Sequence, residues 1–348
     1  MTELYADNRI SADRRVAEGD APLLGFVVGM ARSGTTWLGR RLTDHRDVVV
    51  IGETKYWGRL YVAPGPSGTY TSEQVQGIME RLREHFATDV DGLGTLSQVS
   101  ATGISNVLSA AVDVCPSFPS PAELFSCVCR AIAEAENKRW IIEKTPHHIN
   151  WVDRIATNLP HARFIILFRD PEEFMLSYKH QGDRMDSERQ HFYDRLYHPV
   201  GCALVWRGYA RSIRLATQRH PTRTLLVSND ELAVEPDVMV TRALNFLGVD
   251  RAGTGAGGED ALTSNTSFPA GERPRLDSQD LFWMRWLAGR EIRRFGMRVP
   301  QTSFAPWSIA LSVIQLPVWA IRVVAMMRRG HVTAGVWRYL WRWIRPGR

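Results

Sequence analysis

LLGFVVGMARSGTTWLGRRLTDH, residues 23–45, is the stretch that decides the fold of this chain. Its first part is a short apolar run that ends in Gly29, which is typical of a buried strand. From Thr35 onward, Trp37, Leu38 and Leu42 recur at helical spacing. The stretch therefore predicts a strand, a glycine-containing loop and a helix in succession.

Other apolar runs of strand length follow along the chain, at 139–143 (RWIIE), 163–168 (RFIILF) and 224–227 (TLLV). The first two are followed by polar residues and then by helical patterns. Strands that alternate with helices indicate a parallel sheet covered on both faces, in which ligands bind at the carboxyl ends of the strands. We therefore predict an α/β fold with a P-loop-like, doubly wound parallel sheet.

The segments outside the predicted sheet indicate an insertion and two ends of different character. Helical patterns near 72–87 and 121–137 form an insertion of the kind that commonly walls a substrate cleft, and Gly248–Gly258 is typical of a flexible loop. The predicted domains are a flexible arm (1–20), an α/β domain (21–300) and a basic, tryptophan-rich helical extension (301–348).

The charge of the chain is divided unevenly. Residues 281–348 contain 12 of the 43 Lys+Arg residues but only Glu291 of the 37 acidic residues, which gives this segment a charge of +11. The rest of the chain, with 31 basic and 36 acidic residues, carries −5. This division is unlike a nucleic-acid-binding protein, for which we predict no role, and indicates a basic C-terminal module that meets an anionic surface.

The C-terminal module also contains a mostly apolar run, 304–327, interrupted by Gln315, Pro317 and Arg322. The run is barely long enough to span a bilayer, so an interfacial helix pair at the membrane is favoured over a true span. A helical extension packed on the core or on a second subunit is the remaining alternative. The N-terminus lacks the apolar stretch of a secretory signal, and four cysteines without metal-ligand spacing indicate a reduced compartment and no metal. We predict a cytoplasmic protein, peripheral on the inner face of the membrane.

The loop after the first strand has the spacing of a phosphate-binding P-loop, with Gly29 and Gly34 in the glycine positions. Thr35 stands where a P-loop has lysine, and Arg32 supplies a cation from inside the loop instead. Backbone N–H groups of such a loop, together with the start of a helix, form an anion site to which Arg32, Thr35 and Thr36 can donate hydrogen bonds. A plain strand–turn–helix corner is the alternative.

A second cationic position, Arg169, directly follows the 163–168 run, and Ser177 stands eight residues further on. Pro171 between them favours the first turn of a helix. The pair predicts a second phosphate site, and the alternative is an Arg–Asp turn at the surface.

Together the two motifs resemble those of the sulfotransferases that use 3'-phosphoadenosine 5'-phosphosulfate (PAPS), a bacterial type nearest in its motifs to tyrosylprotein and carbohydrate sulfotransferases. The sequence RSGTT (residues 32–36) is similar to the family's [KR]-[ST]-G-[ST]-[ST], and Arg169 with Ser177 to its R-[DN]-x6-S. The resemblance implies that Arg169 and Ser177 bind the 3'-phosphate, and that Trp37 stacks on adenine as in some members or lies in the core. The residues implied to contact the 5'-phosphosulfate are Arg32, Ser33, Gly34, Thr35 and Thr36.

The resemblance also implies which residues carry the chemistry. Glu53, in a Gly-Glu-Thr context, resembles the catalytic base, and a surface glutamate at a strand end is the alternative. Lys144 resembles a family lysine that stabilises the leaving group, and Arg32 is predicted to be catalytic as well. His147 and His148 are rival bases, since other sulfotransferases use histidine. Arg273 lies where the family has a third donor-contacting loop, although the match there is loose.

These observations predict a sulfotransferase that moves a sulfuryl group from PAPS, without a metal, to a hydroxyl or amine of a small-molecule, lipid or glycan acceptor. A P-loop kinase or NTPase is the first alternative, and the missing P-loop lysine counts against it. A non-catalytic, membrane-tethered nucleotide-binding protein is the second alternative. No motif in the sequence indicates the acceptor or the oligomeric state.

Overall fold

The computed structural model of the protein describes residues 23–88, 101–183, 186–249, 268, 273–302 and 305–329. Its centre is a five-stranded parallel sheet in the order β2-β3-β1-β4-β5. The strands are β1 Leu23–Gly29, β2 Val48–Ile51, β3 Trp140–Lys144, β4 Arg163–Phe168 and β5 Thr224–Ser228. The predicted α/β fold is confirmed.

The strand order changes sides at β1, so that later strands are added on the opposite side of β1 from earlier ones. The chain leaves β1 for β2 at one edge of the sheet, returns to β3, and then crosses to β4 on the other side of β1. Val27 pairs with Lys144 of β3, and Gly29 pairs with Leu167 of β4. The carboxyl end of β1 therefore lies at a switch point, where open α/β sheets bind ligands.

Helices cover both faces of the sheet, as a doubly wound arrangement requires. On one face Val27 belongs to a buried cluster with Leu38 of α1 (Thr35–Thr43) and Leu244 of α10 (Pro236–Leu247). On the other face the ring of Phe26 lies 5.9 Å from that of Phe125, on α4 (Pro121–Ala135). Adjacent residues of β1 thus face opposite layers, because side chains alternate along a strand.

The helices of the predicted insertion are confirmed, and the structure adds a third between them. The insertion contains α2 Ser72–Thr88, α3 Ala101–Asp113 and α4. The other α-helices of the described residues are α5 Val152–Asn158, α6 Pro171–Lys179, α7 Ser187–Leu196, α8 Pro199–Arg219, α9 Asn229–Val234, α11 Ser278–Trp283, α12 Gly289–Arg294 and α13 Pro306–Arg329.

The described chain forms two compact units. One contains the chain up to Leu167 and the segment from Ala216 to Val249, and the other contains Phe168–Leu215 and the described residues from Phe268 onward. The arm 1–20, most of the Gly248–Gly258 loop, and the tail beyond Arg329 lie outside the described residues. The expected domain boundary near residue 300 stays a prediction.

Candidate active site

The loop after β1 has the backbone of an anion-binding turn. Arg32 and Gly34 both have positive φ, 65° and 89°, so the chain twice enters the left-handed region within three residues. Such turns point successive backbone N–H groups to one side. Gly29 has a φ of 139°, and a Cβ there would lie 2.0 Å from the Leu167 carbonyl oxygen. The loop therefore leaves the sheet along a path that glycine alone fits.

Helix α1, which starts at the end of this loop, has no side-chain cap. Its N-cap is Gly34, and its first turn contains no acidic residue. By contrast, α4, α6 and α9 start at Ser120, Asp170 and Ser228, whose side chains accept hydrogen bonds from first-turn N–H groups, and each has an acidic first turn. The first-turn N–H groups and the positive end of α1 are thus left to an anion.

The residues predicted to contact the 5'-phosphosulfate differ in exposure. Arg32 and Thr36 are exposed, whereas Ser33 and Thr35 are buried. The Ser33 hydroxyl donates to the Met30 carbonyl at 2.6 Å, so this side chain braces the loop from within. Trp37 is half-buried against the core cluster, and its two predicted roles both stay open.

Glu53 and Lys144 meet at the carboxyl edge of the sheet. Glu53 stands two residues beyond β2, and Lys144 is the last residue of β3. Because β2 and β3 are parallel neighbours, their ends lie side by side. Lys144 Nζ lies 3.5 Å from Glu53 Oε1, with the side chains 5% and 28% exposed. The structure therefore brings together a nearly buried cation and a carboxylate that solvent reaches.

A buried carboxylate, Glu143, anchors the segment that contains Glu53. Its Oε1 accepts hydrogen bonds from the Thr54 hydroxyl at 2.7 Å, the Thr54 N–H at 3.2 Å, and the Thr145 hydroxyl. Its Oε2 lies 2.9 Å from His148 Nδ1. Burial raises the pKa of Glu143, but the bonds from His148, Thr145 and Thr54 together bring it below its usual value. The ionised Glu143 thus fixes Thr54, the residue next to Glu53.

A second contact fixes Glu53 from the insertion. His85, on α2, has its Nε2 2.5 Å from the Glu53 carbonyl oxygen, and this nitrogen acts as the donor because a carbonyl only accepts. The backbone of Glu53 is therefore held by a helix of the insertion, while its side chain faces Lys144.

The two rival histidines occupy different environments. His148 is 1% exposed, pairs with Glu143, and has a buried Nε2 without a hydrogen-bond partner. His147 is half-buried. Burial lowers the pKa of His147, and the negative charge of Glu53 opposes that shift. His147 is thus near Glu53 and readily neutral, whereas solvent scarcely reaches His148.

The predicted 3'-phosphate residues lie in the other compact unit. Arg169 and Ser177 are buried, at 5% and 1% exposure, and the Arg169 carbonyl accepts a hydrogen bond from Trp206 Nε1 at 3.1 Å. Arg169 Nη2 lies 3.6 Å from Glu173 Oε2, and Arg273 pairs with the other oxygen of the same carboxylate. The structure thus brings Arg169 and Arg273 to one carboxylate.

Sequence reasoning missed several residues that position the site. Glu143 gave a readable signal, since a charge inside an otherwise apolar strand must find partners. Glu173 also gave one, because residues four apart on a helix are neighbours. His85 gave none, since its contact with Glu53 spans 32 residues of sequence. Among the described residues, no group of three or more His, Cys, Asp or Glu is placed to hold a metal ion.

Comparison with known proteins agrees with the motifs. A profile described as the sulfotransferase family matches residues 25–252, more than half of the chain and all five strands apart from the first two residues of β1. The chain belongs to the sulfotransferase family.

The similarity to individual proteins is more distant. The chain is 24% identical over 242 residues to "Nodulation protein NoeE" of Sinorhizobium fredii (strain NBRC 101917 / NGR234), an alignment covering 67% of this chain and 51% of NoeE. The chain thus spans about half the length of this curated relative.

Solved structures similar to this chain include two sulfotransferases. The sulfotransferase domain of the Synechococcus PCC 7002 olefin synthase is 19% identical, with a TM-score of 0.42 over 68% of this chain and 77% of that domain. A sulfotransferase from Alicyclobacillus acidocaldarius is 16% identical, with a TM-score of 0.43 over 80% of this chain and 94% of that protein.

Proposed function

We propose that this protein transfers a sulfuryl group from PAPS to a hydroxyl or amine of its acceptor, with Glu53 as the general base. The observation that carries the proposal is the 3.5 Å pair between Glu53 and Lys144. Sulfuryl transfer, like phosphoryl transfer, needs a base for the acceptor proton and fixed cations for the charge that develops on the leaving group. Glu53 and Lys144 supply one of each.

The donor-binding residues follow the family pattern. We assign the 5'-phosphosulfate to the uncapped start of α1 and to residues Arg32–Thr36, with Ser33 acting through its backbone because its hydroxyl is bonded to Met30. We assign the 3'-phosphate to Arg169 and Ser177, with Arg273 as an auxiliary cation, and adenine to Trp37. PAPS, when bound, supplies the sulfuryl group and a phosphate leaving group. The lack of any acidic residue in the first turn of α1 fits such an anion.

The proposed step is an in-line displacement. The Glu53 carboxylate accepts the acceptor proton while the acceptor oxygen forms its bond to sulfur and the bond between sulfur and the phosphate oxygen breaks. Lys144 and Arg32 stabilise the negative charge left on that phosphate oxygen. Glu53 suits the base better than His148 because solvent reaches it and both Glu143 and His85 fix its surroundings.

The proposed acceptor is a small molecule, lipid or glycan with a free hydroxyl or amine. The insertion helices α2 and α4 are the proposed source of acceptor specificity. His85 of α2 contacts Glu53, and Phe125 of α4 packs on Phe26 of β1. The proposed location is the cytoplasm, at the inner face of the membrane.

The test replaces Glu53→Gln in the full chain. Transfer of radiolabelled sulfur from PAPS to a metabolite and lipid extract should fall by about 10²- to 10⁴-fold, the usual contribution of a general base. Binding of adenosine 3',5'-bisphosphate (PAP), measured by calorimetry, should stay unchanged. Glu80→Gln, an exposed change on α2, serves as the matched control.

Three outcomes would overturn the proposal. Equal transfer by the wild type and E53Q would remove Glu53 as the base. Binding of PAP without transfer to any acceptor would favour a non-catalytic binder. Tight ATP binding with indifference to the 3'-phosphate would favour a kinase or NTPase.

A further inference from the structure

Helix α13 (Pro306–Arg329) packs against its unit along one narrow face. The Ser312 carbonyl lies 3.1 Å from His198 Nε2, and its hydroxyl accepts from Trp283 Nε1 at 2.8 Å. Two turns later, Trp319 Nε1 donates to the Leu196 carbonyl at 3.0 Å. These contacts hold two turns of α13 alongside α7 and α11.

The opposite face of α13 is apolar and exposed. Its residues follow one another at intervals of four and three positions, which places them in one row along a helix. Their exposed fractions run from 50% to 87%. Monomeric soluble proteins seldom leave so continuous an apolar row in water. This apolar row consists of Trp307, Leu311, Ile314, Val318 and Ile321.

Positive charge accompanies the apolar row. Arg322 is exposed directly beside Ile321, and α13 contains two further arginines, Arg328 and Arg329, and no acidic residue. Trp307, 87% exposed, supplies a tryptophan within the row itself. Tryptophan and arginine are the residues that proteins place at the headgroup level of membranes.

We propose that the apolar row binds the surface of a bilayer rich in anionic lipids, with α13 lying parallel to the membrane plane. The charge favours a lipid surface over a second copy, because anionic headgroups attract the arginines of α13, whereas a second α13 contains no acidic residue to pair with them. By length and composition α13 could cross a membrane. Its contacts decide against crossing, since α7 (SERQHFYDRL) is polar and cannot follow α13 into hydrocarbon.

The test is flotation of the full-length protein with lipid vesicles. The wild type should float with vesicles containing about 30% phosphatidylglycerol, and much less with pure phosphatidylcholine. Raising NaCl from about 0.1 M to about 0.5 M should weaken the binding, because salt screens the headgroup charge. The double change Ile314→Glu and Ile321→Glu should reduce the partition coefficient at least about tenfold, since glutamate is expelled from apolar surroundings and repels anionic lipid.

The matched control is Val234→Glu with Val238→Glu, which adds the same charge at exposed valines outside α13 and should leave flotation unchanged. Thermal unfolding checks that both double variants are folded. Failure of the wild type to float, or equal flotation of I314E/I321E, would overturn the proposal. Resistance of the bound protein to alkaline carbonate extraction would indicate a transmembrane helix and would also overturn the proposal. A wild-type protein that forms a dimer instead of binding vesicles, and becomes a monomer in I314E/I321E, would overturn it too. The proposal rests on the membrane location proposed above, but these readouts are independent of sulfuryl transfer, so it stands or falls separately from the proposed activity.

Discussion

The two regions expected to bind phosphate are built in opposite ways. The loop before α1 presents uncapped N–H groups, with no carboxylate in the first turn. Helix α6, after Arg169, is capped by Asp170 and has Glu172 and Glu173 in its first turn. Arg169 and Arg273 both pair with Glu173. The first region is ready for an anion, whereas in the second an internal carboxylate already occupies the cations.

In the proposed function, this contrast gives the two phosphate-binding regions different tasks. A preformed anion turn costs no rearrangement when ligand binds, so it suits the group that must be held for chemistry. When two arginines exchange an internal carboxylate for a phosphate, the binding free energy is favourable only if they interact more strongly with the phosphate than with the carboxylate. We expect such a site to contribute selectivity rather than raw affinity.

The largest effect should come from Gly29→Ala, which breaks the preformed region. The new methyl group would meet the Leu167 carbonyl at a φ of 139°, so the free energy of unfolding should fall by roughly 3 kcal/mol or more. Urea unfolding measures the loss. Gly77→Ala is the control, since it lies in helix α2, where an added methyl group would have nothing within 4 Å, and should gain about 0.5–1 kcal/mol. Equal stability of G29A and the wild type would contradict the described path of the loop.

Next in size is the effect of Arg169→Ala, which tests whether the second region gives selectivity for the 3'-phosphate. PAP affinity should fall about 10- to 100-fold, the usual cost of losing hydrogen bonds to a charged group. Affinity for adenosine 5'-monophosphate, which lacks the 3'-phosphate, should not change. Calorimetry with both nucleotides measures the difference, and Arg130→Ala, an exposed change on α4, is the control. An equal loss for both nucleotides would show that Arg169 does not recognise the 3'-phosphate.

The smallest effect should come from Glu173→Gln, which removes the internal competitor. Because partly exposed ion pairs contribute little, PAP should bind only about threefold more tightly, as calorimetry would measure. The control is Glu172→Gln, which makes the same change of charge one residue earlier. This variant keeps the ion pair with Arg169, because Glu173 forms that pair. Weaker PAP binding by E173Q would indicate that Glu173 orients Arg169 instead of competing with phosphate.

The sequence predicted those parts of the fold that depend on local pattern. Four of the five strands appear as apolar runs of strand length, and β4 has the predicted bounds. Strand β2 is four residues long, too short to be distinguished from any apolar run. Helix α3 was not predicted, because its sequence ATGISNVLSAAVD contains glycine, asparagine, serine and β-branched residues, which have low helix propensity.

The candidate site was predictable where one motif contains all the parts. Arg32 to Thr36 form such a motif, whereas the pairing of Glu53 with Lys144 depends on β2 lying beside β3 in the sheet. The Glu143–Thr54 contact joins residues 89 apart in sequence, and Arg273 reaches Glu173 from about a hundred residues away. Contacts of that kind depend on how elements pack, and no local pattern indicates them.

The hydrogen bond from His85 to the Glu53 carbonyl has a practical consequence for protein engineering. A redesign of the insertion for a different acceptor substrate would also change the contact that holds Glu53, the proposed base. A helix α2 displaced by a larger substrate would carry His85 with it and release the backbone of Glu53. Libraries aimed at new acceptors should therefore keep His85 and its turn of α2 constant, and vary the side chains on the rest of the insertion.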